Sequence, residues 1–347
     1  MKAILITGGC GFIGSNFIPY FLDAHPDYFV VNIDKLTYAA DLHNLKEISN
    51  HPRYKFIRGD ICNREFVNFI FNEFNIKGVI HFAAESHVDN SIEHSHDFIH
   101  TNIVGTHTLI DVAYRFWMGK PFQYKDEYEA CRFHHISTDE VYGSLGATGY
   151  FTEETPYAPN SPYSASKASS DMIVRAYHHT YGLHTVITNC SNNFGPKQHD
   201  EKLIPTIIRN ALNGKPIPIY GDGKNVRDWL YVLDHCRAID IVFHNGKAGH
   251  TYNIGARNEK ENLYVANTIC EMLDTIYPIK KNKFLNSLTK KITSYKELIT
   301  FVKDRPGHDR RYAIDPTKIE TELGWKAREN FEDSLFTTVQ WYVEKYI

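Results

Sequence analysis

The chain has 347 residues, more than one domain of about 150 residues, which predicts two lobes or one large α/β domain with a smaller appended one. Hydrophobic residues make up 42% and charged residues 23%, with 38 basic against 41 acidic side chains and a formal charge of −3. Those figures argue against a disordered chain and against the basic excess that a nucleic-acid surface needs, and apolar runs such as Ala3 to Ile6 are far shorter than the ~20 residues of a membrane span.

The first predicted strand, Ala3 to Thr7, breaks at Gly8-Gly9 before a secretory core could form, so a cytoplasmic location is expected. Further strands are predicted at Phe29 to Ile33, Tyr54 to Arg58, Gly78 to Ala83, Phe133 to Ser137 and Thr185 to Asn189. Amphipathic stretches between them, including Asn102 to Arg115 and Tyr163 to Tyr181, are long enough for crossover helices. The alternation predicts a doubly wound, Rossmann-like parallel sheet whose ligands lie beyond the carboxyl ends of the strands. After residue 190, Pro196, Pro205, Pro216 and Pro218 punctuate shorter elements, which places a smaller C-terminal lobe over 191–347. Asp228 to Val232 and Thr251 to Ile254 are read as possible returns to the main sheet, so the 1–190 domain is expected to receive about 225–255 as well. The stretch Lys280 to Lys291 reads as a solvated loop or, alternatively, a basic contact surface. Six scattered cysteines lack any Cys-x-x-Cys pair and read as buried small apolar residues.

Gly9-Cys10-Gly11-Phe12-Ile13-Gly14 matches G-x-G-x-x-G, and Gly8, Gly11 and Gly14 fit the related G-x-x-G-x-x-G spacing. Between a strand and a helix, such glycines allow a tight turn and close approach of a pyrophosphate to the positive end of the helix. Asp34 follows twenty residues after Gly14, where a carboxylate accepts hydrogen bonds from a ribose diol and repels a 2′-phosphate, favouring NAD over NADP. An ordinary turn and a solvated strand end are the plain alternative, which the ordered set of strand, loop, helix and acid disfavours.

Ser137-Thr138-Asp139-Glu140 follows the fifth predicted strand, and Tyr163-Ser164-Ala165-Ser166-Lys167 lies beyond it. Tyr-x-x-x-Lys puts a phenol and an ammonium on one helix face, where the cation would lower the tyrosine pKa toward a value useful for proton transfer. By itself this pair is more often an exposed helix face. Adjacent acids are usually a solvated turn, but beside a nicotinamide one can protonate a departing hydroxyl while the other removes a carbon-bound proton.

Together these motifs resemble the short-chain dehydrogenase/reductase superfamily, in its extended nucleotide-sugar branch. Thr138-Asp139-Glu140, Ala83-Ala84-Glu85-Ser86-His87-Val88-Asp89, Asn192-Asn193-Phe194-Gly195-Pro196, Glu201-Lys202-Leu203-Ile204-Pro205, Asn225-Val226-Arg227-Asp228-Trp229 and Arg305-Pro306-Gly307-His308-Asp309-Arg310-Arg311-Tyr312 are similar to the dTDP-glucose 4,6-dehydratase family, from Met1 to about Trp325. The resemblance implies an internal redox cycle with NAD: oxidation at C4, loss of water across C5 and C6, and return of hydride to C6. It implies catalytic roles for Thr138, Asp139, Glu140, Tyr163 and Lys167, with Tyr163 taking the C4 hydroxyl proton, Glu140 the C5 proton, and a neutral Asp139 protonating the C6 hydroxyl. Lys167 is implied to orient the nicotinamide ribose and hold down the Tyr163 pKa. Cofactor contacts are implied for Gly8, Gly11, Phe12, Ile13, Gly14, Asp34, Lys35, Leu36, Thr37, Asp60, Ile61, Ala84, Ser86, Thr101, Tyr163, Lys167 and Asn193. Sugar-nucleotide contacts are implied for Ser86, Thr138, Asn192, Lys202, Leu203, Pro218, Ile219, Tyr220, Arg227, Asn262, Asp304, Arg305, Pro306, Gly307 and His308. Arg227 is the implied diphosphate partner, against the plain reading of a surface ion pair with Asp228.

Gly119 to Cys131 and Ile279 to Lys291 read as insertions relative to the commoner family pattern, and Asn90 stands where the family often has arginine. Nineteen histidines, with His96 and His100 one helical turn apart, invite a metal reading, but no further ligand follows with a clear spacing and the family needs none. The rivals are a 4,6-dehydratase of another nucleotide-linked hexose, a nucleotide-sugar 4-epimerase or decarboxylase, which would have no use for Asp139-Glu140, and a noncatalytic NAD sensor. A homodimer through the helices Asn102 to Arg115 and Tyr163 to Tyr181 is implied; no nucleic acid, membrane or metal partner is.

Overall fold

The computed structural model of the chain describes residues 1–286, 292–304 and 308–347. Its strands, in chain order, are β1 (Lys2–Thr7), β2 (Tyr28–Asp34), β3 (Tyr54–Arg58), β4 (Gly78–His81), β5 (Met118–Lys120), β6 (Gln123–Tyr124), β7 (Arg132–Thr138), β8 (Thr185–Cys190), β9 (Asn192–Phe194), β10 (Ile217–Tyr220), β11 (Val226–Tyr231), β12 (Thr251–Ile254), β13 (Glu259–Glu261) and β14 (Ile299–Val302). Seven of them form the main sheet, in the order β12-β8-β7-β4-β1-β2-β3, with every neighbouring pair parallel. The chain leaves β1 toward β2 and β3 on one side, then returns to β4 and continues outward on the other. That reversal opens a crevice beyond the carboxyl ends of β1 and β4.

β1 reads as an unbroken apolar run because both of its faces are covered. Ile4 and Ile6 pack into one core with Phe17, Ile18 and Phe21 of the helix Phe12–Ala24, while Leu5 packs into the other with Val67, Ile70 and Phe71 of the helix Arg64–Phe74. Each such fully buried side chain contributes about 1.5–3 kcal/mol. The second face also receives Leu109 and Ile110 of the helix Thr106–Trp117 and Val174 and Tyr177 of the helix Pro162–Tyr181. The latter helix is defined at both ends. Ser161 and Ser164 exchange capping hydrogen bonds, Pro162 occupies its first turn, and Gly182 ends it at φ +73°.

Beyond β8 the chain builds a smaller assembly, with a three-stranded sheet β13-β11-β9 and a parallel pair β10-β14. Thr251–Ile254 returns to the main sheet as β12, but Asp228 to Val232 does not. β12 already occupies the free edge of β8, and the Asp228 carboxylate accepts the backbone N–H groups of Ala256 and Asn258, tying β11 to the loop after β12.

Several local expectations are corrected. The strand expected at Gly78 to Ala83 stops at His81, freeing Phe82 onward to form the crevice wall. The helix expected from Asn102 starts as a wide turn over Ile99–Gly105 and is regular only from Thr106. The Lys280 to Lys291 stretch is not a plain solvated loop in its described part. Ile279–Lys281 and Lys283–Asn286 are helical, Leu285 is buried, and buried Asn282 bonds Leu212 O and Leu285 N; 287–291 lie outside the described residues. The six cysteines are all free, and five are buried; Cys62 is half-buried. Among the described residues no helix is long and apolar enough to cross a membrane.

Candidate active site

The crevice begins where β1 runs into the glycine loop. Gly8 adopts φ +71°, and a Cβ there would lie 2.6 Å from Cα of Ala83, so only glycine lets the two strand ends approach. A Cβ on Gly14 would meet Cα of Gly9 at 2.7 Å, which is why the first helical turn sits so tightly on the loop. The helix has Gly11 at its N-cap, without a side-chain cap and without acid in its first turn. Its end therefore presents backbone N–H groups and a positive dipole to an anion.

Asp34 closes β2 beside this loop. Its carboxylate accepts the N–H of Cys10 at 3.0 Å and of Leu36 at 2.8 Å, and burial pushes its pKa up despite both bonds. Lys35 forms an ion pair with Asp60 at 2.8 Å. Asp60 lies two residues beyond the end of β3. The crevice is lined by Gly8, Gly11, Phe12, Ile13, Gly14, Asp34, Lys35, Thr37, Asp60, Ile61, Ala84, Ser86, Thr101, Tyr163, Lys167 and Asn193, each expected at the cofactor. Leu36 is the exception. It does not line the crevice, and its φ of +59° accompanies the bond from its N–H to Asp34. These residues fit a dinucleotide: a glycine cradle for the pyrophosphate, an acid at the ribose, and a continuous cleft to Tyr163.

All five expected catalytic residues line the same crevice. β7 delivers Thr138 at its carboxyl end, and a tight turn over Asp139–Tyr142 follows. Thr138 caps that turn by accepting the Glu140 N–H at 3.3 Å, and its hydroxyl donates to Oδ1 of Asp139 at 3.5 Å. Asp139 is 2% exposed and its Oδ2 has no hydrogen-bond partner. Burial first, then the charges of Glu140 and Asp228, raise its pKa well above the carboxylate range, with Arg227 opposing. The neutral acid expected at Asp139 is thus favoured by its surroundings.

Tyr163 departs from expectation. Burial and Glu140 push its phenol well up, while a hydrogen bond with Thr138 pulls the other way. Lys167 does not hold it down, because the Lys167 Nζ points to the Ile136 carbonyl at 2.8 Å and to His135 Nε2 at 3.3 Å. Burial lowers the lysine itself to about 8.

The sugar side divides. Ser86, Thr138, Asn192 and Lys202 line the crevice, and Lys202 donates to the Ser86 carbonyl at 2.8 Å. Leu203, Pro218, Ile219, Tyr220, Arg227, Asn262, Asp304 and His308 do not line it. Ile219 is buried inside β10, whose core-facing positions it fills, while Tyr220 is exposed and stands edge-on to His308. Arg227 is no surface partner of Asp228: it is buried, lies 4.3 Å over the Tyr312 ring, and donates to the carbonyls of Val226, Asp309 and Arg310. Arg305, Pro306 and Gly307 lie outside the described residues.

The crevice also takes in Glu85, Ile136, Cys190, Ser191, Gln198, His199 and Glu201, which sequence reasoning missed. Glu85 and Glu201 lie inside the quoted motifs, and Ser191 directly precedes one; these were the recoverable ones. Thr101 reaches the cleft because the wide turn Ile99–Gly105 is pinned there: Asn102 bonds both backbone groups of Glu85 and the hydroxyl of Ser166. His96 and His100 stack at 6.2 Å, but the metal-competent grouping among the described residues lies elsewhere, at His25, Asp240 and His244, where Asp240 bonds both imidazoles and Tyr20.

Comparison with known proteins bears on this geometry. Residues 5–338 match the family model described as GDP-mannose 4,6 dehydratase. The chain is 53% identical over 345 residues to a dTDP-glucose 4,6-dehydratase of Neisseria meningitidis, covering 99% of this chain and 94% of the relative. The crystal structure of a dTDP-glucose 4,6-dehydratase from Bacillus anthracis in complex with NAD superposes with a TM-score of 0.82 at 46% identity, covering 99% of this chain and 97% of that one. A dTDP-glucose 4,6-dehydratase from Streptomyces venezuelae, also with NAD, gives 0.85 at 42% over the same shares.

Proposed function

The chain belongs to the GDP-mannose 4,6 dehydratase family, and from that premise we propose that it converts dTDP-glucose to dTDP-4-dehydro-6-deoxyglucose and water. The observation that carries this reading is the paired carboxyls at the end of β7, one sealed so that burial raises its pKa, one partly open, facing the same crevice as Tyr163.

NAD is the cofactor, and when bound it supplies a reversible acceptor for the C4 hydrogen with its electron pair, so that oxidation at C4 and reduction at C6 cancel. Gly8 to Gly14 hold its pyrophosphate and Asp34 its ribose. Tyr163 accepts the proton of the C4 hydroxyl, and Thr138 hydrogen-bonds the same oxygen. A phenolate in so dry a setting is a strong base, and for Lys167 to supply the positive charge that favours it, the ammonium has to leave the Ile136 carbonyl and turn toward the phenol. The C4 carbonyl acidifies the C5 hydrogen, Glu140 removes that proton, and Asp139 gives its own to the C6 hydroxyl, which leaves as water. Glu140 then returns a proton to C5. Each group moves one proton at one atom, which is why two carboxyls in different environments are needed.

Ser86, Asn192 and Lys202 hold the hexose at the crevice. Arg227 binds the diphosphate, and this requires it to exchange backbone carbonyls for phosphate oxygens. Of the remaining expected contacts, Leu203, Pro218, Tyr220, Asn262, Asp304 and His308 meet the nucleotide outside the lined crevice, whereas Ile219 stays in the core. We place the enzyme in the cytoplasm as a homodimer joined through the helices ending at Trp117 and Tyr181; Met172 is exposed on the second, and Ile99 and Val104 on the wide turn that leads into the first. The 1–190 domain, with β12 added to its sheet, carries the cofactor.

The test is turnover of a panel of nucleotide-linked hexoses without added reductant. A 4-keto-6-deoxy product from dTDP-glucose, formed faster than from the uridine, cytidine or guanosine analogues, supports the reading. A C4 epimer would indicate the epimerase instead, and absence of turnover with any of them would indicate a sensor.

A further inference from the structure

Behind Lys167 lies a sealed polar assembly that the steps above do not use. Nζ of Lys167 is 3.3 Å from Nε2 of His135, and that same Nε2 is 3.2 Å from Oδ1 of Asp171. Asp171 stands one helical turn beyond Lys167, and its Oδ2 accepts the Ser137 hydroxyl at 2.8 Å and the Tyr157 phenol at 3.0 Å. Lys167 is 3% exposed, Asp171 2%, and His135 is fully buried. Two atoms in the group lack hydrogen-bond partners, Nδ1 of His135 and Oδ1 of Asp171. A proton on Nε2 serves Asp171 and opposes Lys167; a proton on Nδ1 frees Nε2 to accept from Lys167 and leaves its own N–H bare. The three side chains therefore share their protons as one unit.

We propose that Asp171 is a positioning residue for the proton-transfer step, its carboxylate keeping the buried Lys167 ammonium charged across Nε2 of His135.

The groups that face this pair come from four segments. His135 comes from β7, Cys190 from β8, His81 from β4 with its ring 5.2 Å from that of His135, and Tyr142 and Tyr157 from the segment after β7. Burial drives both imidazoles well below their usual range, so they are neutral, and raises the Cys190 thiol to about 12 and both phenols further, so they are neutral too. Among the described groups facing Lys167, Asp171 is left as the source of negative charge. Burial brings Asp171 up to about 6 and Lys167 down to about 8, which leaves an ion pair between those values. The consequence for catalysis rests on the reading of Lys167 as the charge behind Tyr163, but the charge itself can be measured without any substrate.

The experiment titrates the Cε resonance of Lys167 in the full chain labelled with ¹³C-lysine, assigned by its loss in Lys167→Arg. Asp171→Asn should lower the midpoint by about one pH unit or more, and Tyr157→Phe, which removes one donor to the carboxylate, should change it by less in the same direction. The alkaline limb of kcat/KM should move down with it. An unmoved midpoint in folded Asp171→Asn, with activity reduced evenly at every pH, would overturn the proposal, since that is what a merely structural role produces. Should Asp171→Asn fail to fold, the Tyr157→Phe midpoint decides, and an unmoved value there overturns it as well. Failure of the dehydratase reading would leave the midpoint shift intact.

Discussion

Asp139 and Glu140 are neighbours in the chain, yet Asp139 is sealed with one carboxyl oxygen unpartnered while Glu140 remains partly exposed. The tight turn that follows Thr138 separates them, because three residues per turn send successive side chains about 120° apart. One sequence doublet thereby becomes two different groups, an acid that keeps its proton and a carboxylate that can take one.

Asp139→Asn should therefore spare oxidation at C4 and slow loss of water by roughly 10²–10⁴-fold, the usual worth of a general acid. Quench-flow mass analysis of sugar intermediates checks this. Equal slowing of both steps would remove Asp139 from the acid role.

The same burial makes a stability prediction. The folded pKa of Asp139 lies above its unfolded value, so the native state binds a proton that the unfolded chain has released, and stability falls as pH rises between the two values. Asp139→Asn lacks that proton uptake. Its melting temperature should gain on the parent protein as pH rises from about 4, and Glu140→Gln, by removing a neighbouring charge, should shrink the slope in the parent. A constant difference across pH would contradict the assignment of burial and Glu140 as the causes.

Gly8→Ala should lose both stability and cofactor. The left-handed backbone alone costs about 1–2 kcal/mol for a residue with a Cβ, and the contact with Cα of Ala83 forces β1 and β4 apart at the crevice. Calorimetry and cofactor retention after gel filtration should fall together; a destabilised protein that keeps its full cofactor would separate the loop from binding.

Asp34→Asn should weaken NAD binding by roughly 10–100-fold, given about 1.5–3 kcal/mol for hydrogen bonds to a charged group, and narrow the preference over NADP. The Lys35–Asp60 pair limits the gain, since the nearby cation is already engaged. Fluorescence titration of apoenzyme with both dinucleotides measures it, and an unchanged ratio would mean that Asp34 does not face the ribose.

What the sequence disclosed follows the reach of each signal. The glycine loop, Asp34 and the Thr138-Asp139-Glu140 segment are local, and strand ends bring them together in any doubly wound sheet. Tyr163 and Lys167 were legible as a helical pair, but where the ammonium points was not, because His135 and Ile136 come from β7. Asp171 carried a faint signal, four residues after Lys167 on the same helix face. β11 misled because its apolar run looks like a main-sheet strand, whereas the choice of sheet rests on Asp228 reaching the loop after β12. Likewise the burial of Ile219 goes with the pairing of β10 with β14, where it sits opposite Phe301, more than eighty residues on and invisible to any spacing rule.

The central claim is that one crevice oxidises C4, expels water across C5 and C6, and restores the balance internally. The most direct measurement supplies dTDP-glucose labelled with deuterium at C4 in ordinary water, and separately unlabelled substrate in deuterated water, with no external reductant. The account predicts a 4-keto-6-deoxy product whose C4 label has moved to C6 in the first case and which carries solvent deuterium at C5 in the second. A product whose label remains at C4, or whose C5 hydrogen never exchanges, would contradict it.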